Sequence, residues 1–210
     1  MSGTAQPYLP SVGMDPVDAK ETLRRMIRGV RGARSERLRR EAADRLADVV
    51  ESLPEIRGAA CVATYAARPT EPGTLPLLER LGARGVRVLL PVLGTGLQRN
   101  WAVFDGADDL QVRAPGRPPE PGTPELPATA IGEADVVLVP ALAVDTTGMR
   151  LGQGGGWYDR VLEHVREDAR IVALVFPDEV YDADERPLPF EPHDRRVHAV
   201  ATPAGCHELG

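Results

Sequence analysis

Val136-Val137-Leu138-Val139-Pro140-Ala141-Leu142-Ala143-Val144 leads, after a short turn, into Arg150-Leu151-Gly152-Gln153-Gly154-Gly155-Gly156-Trp157-Tyr158-Asp159. A short apolar run rich in valine, closed by turn residues, reads as a buried strand over 136–144. The glycine-rich turn follows it, and helical character runs from Tyr158 to Arg166. Strand, glycine turn and helix in that order form an α/β unit, and ligand sites in such sheets lie beyond the carboxyl ends of the strands. Glycine at 152, 154, 155 and 156 lets the backbone turn tightly and approach a ligand closely. A helix starting there offers unpaired amide donors and a positive dipole end to an anion. Arg150 adds a permanent charge with a planar fork of donors. Asp159 places a carboxylate in the first helical turn, a sensible arrangement where magnesium bridges carboxylate and phosphate.

Similar units lie on either side. Asp15-Pro16 reads as an N-cap with proline at the first helical position, opening a basic helix from about Val17 to Gly32. Ser35 caps a second helix to about Ser52, with Leu38, Ala42, Leu46, Val49 and Leu53 at helical spacing. Strands are predicted over 59–66, 86–93, 99–104, 171–176 and 197–202, with a short helix over 74–82. The proline-rich segment 114–127 is predicted as a surface connection. Short apolar strands alternating with helices predict the α/β class: a single three-layer domain with a largely parallel central sheet flanked by helices. It is expected to span residues 15–210. Residues 1–14 are expected to be a disordered N-terminal extension, or the product of a start site placed too early, since Met14 directly precedes the first helix.

At 210 residues the chain is long enough for one full core, and with only 4% aromatic residues that core must be built from Val, Leu, Ala and Ile. A net charge of −6 argues against non-specific nucleic-acid binding. No apolar run approaches the roughly 20 residues of a membrane span. Cys61 and Cys206 lie far apart and form no metal or redox motif, so reduced thiols and a cytoplasmic location are expected. A monomer or weak homo-oligomer is expected.

Several chemistries are excluded. The glycine turn lacks the Gly-Lys-Ser/Thr of a Walker A loop, and Trp157 stands where a dinucleotide fingerprint needs its third glycine. Of the four serines none sits in a Gly-x-Ser-x-Gly elbow. There is no His-Glu-x-x-His pair, and His193 and His198 have no sequence partners that would make them ligands. The glycines alone leave two readings open, a phosphate cradle and a plain tight turn.

The wider pattern is more specific. Val139-Pro140-Ala141-Leu142-Ala143-Val144-Asp145, then Gly148, then Arg150-Leu151-Gly152-x-Gly154-x-Gly156-x-Tyr158-Asp159 resembles the signature of the 5-formyltetrahydrofolate cyclo-ligases, also called methenyltetrahydrofolate synthetases. Lys20 and Arg24 match the family's Lys-x-x-x-Arg opening. Glu71-Pro72-Gly73-Thr74 is similar to its Glu-x-x-Thr segment, and Asp194 stands where the family has a late aspartate. The resemblance covers about residues 16–203.

The resemblance implies ATP as co-substrate, Mg2+ as cofactor and a reduced folate as substrate. It implies phosphate contacts from Lys20, Arg24 and Arg150, with Lys20 and Arg150 catalytic. It also implies ATP binding by Gly152, Gln153, Gly154, Gly155, Gly156, Trp157 and Tyr158. Glu71 and Trp157 would contact folate, and Asp159 with Asp194 would hold the metal. The chain departs from the family at Trp157, where tyrosine is frequent, at Gly155, where some relatives carry lysine, and at Pro72-Gly73. Each role has a plainer counterpart. Lys20 and Arg24 share a face with Arg25, Arg28 and Arg31 that can simply be solvated. Asp159 can serve a helix N-terminus, Asp145 a turn, and Trp101 strand packing. Two other functions stay open at this point: a paralogue acting on another formylated compound, and a non-catalytic folate- or nucleotide-binding protein.

Overall fold

The computed structural model describes residues 6–8, 13–93, 99–191 and 194–210. In chain order its helices and strands are α1 (Pro16–Ala33), α2 (Glu36–Ser52), α3 (Pro54–Gly58), β1 (Cys61–Ala63), α4 (Leu75–Ala83), β2 (Arg87–Val92), β3 (Asn100–Val103), β4 (Val136–Pro140), β5 (Ala143–Asp145), β6 (Arg150–Leu151), α5 (Trp157–Val161), β7 (Arg170–Leu174), β8 (Val180–Tyr181), β9 (Ala199–Thr202) and β10 (Gly205–Glu208). Seven strands form the central sheet in the order β10-β9-β7-β4-β1-β2-β3. The five inner strands are parallel, and the edge strands β3 and β10 pair antiparallel. The α/β class and the largely parallel sheet therefore match expectation.

Period-two alternation explains the layers. Val136 and Leu138 of β4 face one side with Val62, Val172 and Leu174, against Leu46, Val50, Leu78 and Leu81 from α2 and α4. Val137 and Val139 face the other side with Ala63, Ala173 and Val175, against Ile131, Val161 and Leu162. Each inner strand is thus buried on both faces, and its sequence reads as a continuous apolar run.

The apolar stretch 136–144 is not one strand. Hydrogen bonding to the central sheet ends at Pro140, and β5 belongs to a second, three-stranded sheet in the order β6-β5-β8. This sheet supports α1, whose Leu23 and Ile27 pack on Leu142, Met149, Leu151 and Tyr181. Proline cannot donate to a ladder, and Ala141 to Val144 are buried in their new positions too, so hydropathy carries no sign of the break.

Two helix readings shift. The buried face of α2 is Ala43, Leu46, Ala47 and Val50, whereas Leu38 is exposed. The helix expected to reach Arg166 is α-helical only through Val161 and tightens into a 3-10 turn at Leu162–His164. Asp15 caps α1 by accepting from the Val17 amide at 2.9 Å, and Ser35 caps α2. A side chain at position 73 would stand 2.8 Å from the Ala43 Cβ, so the close seat of this segment on α2 accounts for Gly73. Most of the expected N-terminal extension lies outside the described residues. Within it, Gln6 donates to the Val180 carbonyl at 2.7 Å and Tyr8 packs on Tyr181.

Candidate active site

A cleft of about 510 Å³ opens where the carboxyl ends of β1, β2 and β4 meet the glycine loop and the first turns of α1. Lys20, Arg24, Glu71, Arg150, Asp159 and Asp194 all line it, together with positions 152–158. Every residue assigned a site role from the sequence borders this one space.

Lys20 enters from α1. The second sheet holds the helix through Leu23 and Ile27, on a face that leaves Lys20 only 5% exposed. Its Nζ donates to Glu191 Oε2 at 2.7 Å and Asp194 Oδ2 at 2.6 Å. A buried ammonium between two carboxylates is a strongly polar site that an arriving phosphate can enter by exchanging partners. Asp194 Oδ2 also accepts the Glu191 amide at 2.7 Å, fixing the carboxylate over its own turn.

One turn on, Arg24 donates through Nε to the Gly152 carbonyl at 2.9 Å. Its guanidinium lies along Gly154, where an added Cβ would come 3.3 Å from Arg24 Cζ. Arg28 donates to the Gln153 carbonyl at 2.9 Å and to Gln153 Oε1 at 3.3 Å. Helix α1 therefore grips the loop carbonyls. Gly154 (φ +102°) and Gly156 (φ +59°) take up conformations that side chains resist. Gly148 (φ +82°) turns β5 into β6 where a Cβ would lie 2.5 Å from the Val197 carbonyl oxygen.

Arg150 is buried and forms an ion pair with Asp159, nine residues ahead on α5. The second carboxylate oxygen of Asp159 has no hydrogen-bond partner among the described residues. Since α5 has only five residues, its dipole is small, and the positive charge near the loop is that of Lys20, Arg24 and Arg150, all three of which are paired with carboxylates. Gln153 donates to Glu71 Oε1 at 3.0 Å, while Glu71 Oε2 accepts the Arg68 amide at 2.9 Å. Trp157 stands edge-on to Trp101, centroids 5.2 Å apart, and to Tyr158, 4.8 Å apart. Trp101 is fully buried and packs β3, as its plainer reading had it.

Four buried polar atoms at the cleft have no hydrogen-bond partner among the described residues: Tyr65 Oη, Tyr158 Oη, Trp157 Nε1 and Arg150 Nε. Burial pushes the Tyr158 phenol far above its ordinary pKa, Glu71 adds to the effect and Arg150 opposes it. Burial and then Glu71 raise Tyr65 in the same sense. Both hydroxyls stay protonated at neutral pH.

One reading needs correction, and the turn reading of Asp145 and the strand-edge reading of His198 hold. Arg31 is not part of a solvated basic face. It is 1% exposed, donates to both Glu179 oxygens at 2.7 Å and to the Ala141 carbonyl at 2.6 Å, and lies 5.6 Å from the Phe176 ring centroid. Asp145 is a turn residue: its Oδ1 accepts from the Thr147 amide and hydroxyl and from the Met149 amide, and its Oδ2 from the Leu188 amide. His198 sits at a strand edge, its Nδ1 accepting from the Ile171 amide at 3.0 Å. His193 lies outside the described residues. Sequence reading missed Tyr65, Arg68, Arg28 and Glu191. Tyr65 and Arg68 follow the carboxyl end of β1, and the rule that sites lie beyond strand ends would have flagged them.

Known proteins resemble this chain over most of its length. The profile of the 5-formyltetrahydrofolate cyclo-ligase family matches residues 16–203. The 5-formyltetrahydrofolate cyclo-ligase of Mycolicibacterium smegmatis is 44% identical over 147 residues, 68% of this chain and 73% of the relative. The Escherichia coli K12 protein of the same name is 29% identical over 185 residues, 87% of this chain and 100% of the relative. Among solved structures, 5,10-methenyltetrahydrofolate synthetase of Aquifex aeolicus superposes with a TM-score of 0.75 at 27% identity, covering 90% of this chain and 92% of the other.

Proposed function

The chain belongs to the 5-formyltetrahydrofolate cyclo-ligase family, a family of ligases, and from that membership we propose an ATP-dependent cyclisation of 5-formyltetrahydrofolate to 5,10-methenyltetrahydrofolate. The observation that carries the proposal is that Lys20 and Arg24 of α1 line one cleft with Arg150 and a glycine loop that also touches Glu71.

The chemistry follows from what the substrate lacks. An amide-like formyl oxygen is a poor leaving group. It attacks the γ-phosphorus of ATP, the bond to the β-phosphate oxygen breaks, and ADP departs. Nitrogen 10 then attacks the activated carbon and gives up its proton. The carbon–oxygen bond breaks, and phosphate leaves with the former formyl oxygen. Substrate supplies both nucleophile and electrophile, so the protein's task is in-line positioning and charge neutralisation. No serine, cysteine or histidine nucleophile is called for.

In this reading Lys20 and Arg150 neutralise the transferred phosphoryl group. Arg24 and the loop from Gly152 through Gly156 hold the remaining phosphates, beside Gln153, Trp157 and Tyr158. Glu71 and the Trp157 ring face the folate. The residues present suit magnesium: among the described residues Asp159 keeps one carboxylate oxygen without a hydrogen bond, and Asp194 lies in the same cleft. Asp159 and Asp194 are the side chains that would hold the ion; among the described residues no three His, Cys, Asp or Glu side chains are grouped as a metal site. Magnesium, when bound, supplies charge neutralisation on the phosphate oxygens. A cytoplasmic location and a monomer or weak homo-oligomer belong to the same reading. Among the described residues no helix is long and apolar enough to cross a membrane.

The test of the mechanism is an oxygen label. 5-Formyltetrahydrofolate carrying heavy oxygen in its formyl group should release phosphate that contains the label. Unlabelled phosphate alongside product formation would rule out phosphorylation of the formyl oxygen.

A further inference from the structure

We propose that Tyr65 is a substrate-recognition residue whose hydroxyl hydrogen-bonds the polar edge of the heterocycle in the cleft. Its ring follows β1 and lines the cleft, with the residue only 4% exposed. The main chain beside it is tied down: the Tyr65 carbonyl accepts from Thr74 Oγ1 at 2.7 Å, and that oxygen in turn accepts the Ala67 amide at 3.0 Å. The backbone holds the ring in place, yet its Oη has no partner among the described residues. A buried hydroxyl left unpaired is a standing cost that folding alone gives no reason to keep, since phenylalanine has the same shape without it. The hydroxyl makes sense once a ligand brings the missing partner.

Two further observations indicate which end of the cleft this is. Among charged groups Glu71 acts most strongly on the Tyr65 hydroxyl, and the same is true for Tyr158, which is also unpaired. The two phenols therefore both lie within the influence of the Glu71 carboxylate in the cleft. Two neutral donor–acceptor groups and one pure acceptor match a fused heterocycle carrying N–H donors and a ring carbonyl. A phosphate offers acceptors only and would be repelled by Glu71. In the free protein the Gln153 amide occupies Glu71 Oε1 and the hydroxyls are closed to water. Substrate takes the place of Gln153 at Glu71, and opening that contact brings the phenols within its reach. The assignment rests on a reduced folate being the substrate.

The test is Tyr65→Phe. The expected result is a KM for 5-formyltetrahydrofolate raised about tenfold, a KM for ATP within about twofold of wild type, and a melting temperature unchanged or raised because an unpaired polar atom has been removed. A merely structural tyrosine would show the opposite pattern, with a lower melting temperature and both KM values moved together. A folate KM equal to wild type overturns the proposal while leaving the cyclo-ligase reading intact. Should the wild type not turn over, reduced folate is titrated against tryptophan fluorescence, which Trp157 in the cleft reports. Weaker binding by Tyr65→Phe then supports the assignment without the reaction. Equal binding, or no binding by the wild type, overturns it.

Discussion

Lys20 Nζ and Asp194 Oδ2 meet at 2.6 Å although 174 positions separate them in the chain. The contact joins the first helix to the segment before β9 at the edge of the cleft, and in the proposed reaction Lys20 is the cation at the transferred phosphoryl group. Lys20→Ala is expected to lower kcat by roughly 100-fold or more, the usual scale for losing one charged contact to a transition state. Circular dichroism should show the fold intact. A near-normal rate from a folded variant would contradict the role given to Lys20.

Gly154 and Gly155 separate a required glycine from a permissive one. Position 154 has φ +102° and an added Cβ would press on Arg24, whereas position 155 has open space within 4 Å. Gly154→Ala should raise the KM for ATP about tenfold or more through strain and displacement of Arg24, and Gly155→Ala should stay within about twofold. Steady-state kinetics on the pair checks this. Equal behaviour of the two variants would dissociate loop geometry from nucleotide binding.

Asp159 shares its carboxylate with Arg150 and is the leading magnesium ligand in this account. Asp159→Asn keeps the shape and removes the charge. The magnesium concentration for half-maximal rate should rise and the maximal rate should fall strongly, as measured by titrating the metal at saturating ATP. An unchanged metal requirement would assign Asp159 to orienting Arg150 alone.

The Arg31–Glu179 pair fastens the far end of α1 to the core. Burial opposes the Arg31 charge, and its hydrogen bonds to Glu179 more than offset this, so its pKa stands above the ordinary value. Arg31→Met leaves a buried carboxylate alone and should cost about 3–5 kcal/mol. For a domain of this size that is a drop in melting temperature on the order of 10 °C. Arg31→Met combined with Glu179→Leu should recover much of it. A double variant no more stable than the single would show that the loss lay in packing.

Cys61 supplies a pH test. Burial raises its thiol to about 11, above the ordinary range of a cysteine. The folded state thus holds this proton more tightly than the unfolded state. The linked stability is fully present below the unfolded thiol pKa and is lost as pH rises toward 11. At pH 8 Cys61 should alkylate far more slowly in the folded protein than in denaturant, and modification of the half-buried Cys206 should leave turnover unchanged. Rapid folded-state labelling of Cys61 would refute its burial.

Much of this was legible from residues 136–159, because local chemistry decides it. A valine run makes a strand, glycines make the loop, and Arg150 with Asp159 frames it. What escaped is tertiary. Pro140 ends β4 and β5 joins another sheet, yet the residues on both sides are buried, so apolar pattern alone cannot show the change. Arg31 looked like its solvated neighbours, and only Glu179, 148 positions away, makes it a core residue. Glu191 and Tyr65 carry no motif of their own. Their place in the cleft depends on which strand ends the sheet order brings together.

The proposed cyclisation is tested by mixing the purified protein with 5-formyltetrahydrofolate, ATP and magnesium and following the near-ultraviolet absorbance of the methenyl product. Product that forms only with ATP present, with one ADP released per methenyl group, is the expected result. No ATP-dependent product under conditions where a known cyclo-ligase is active would contradict it.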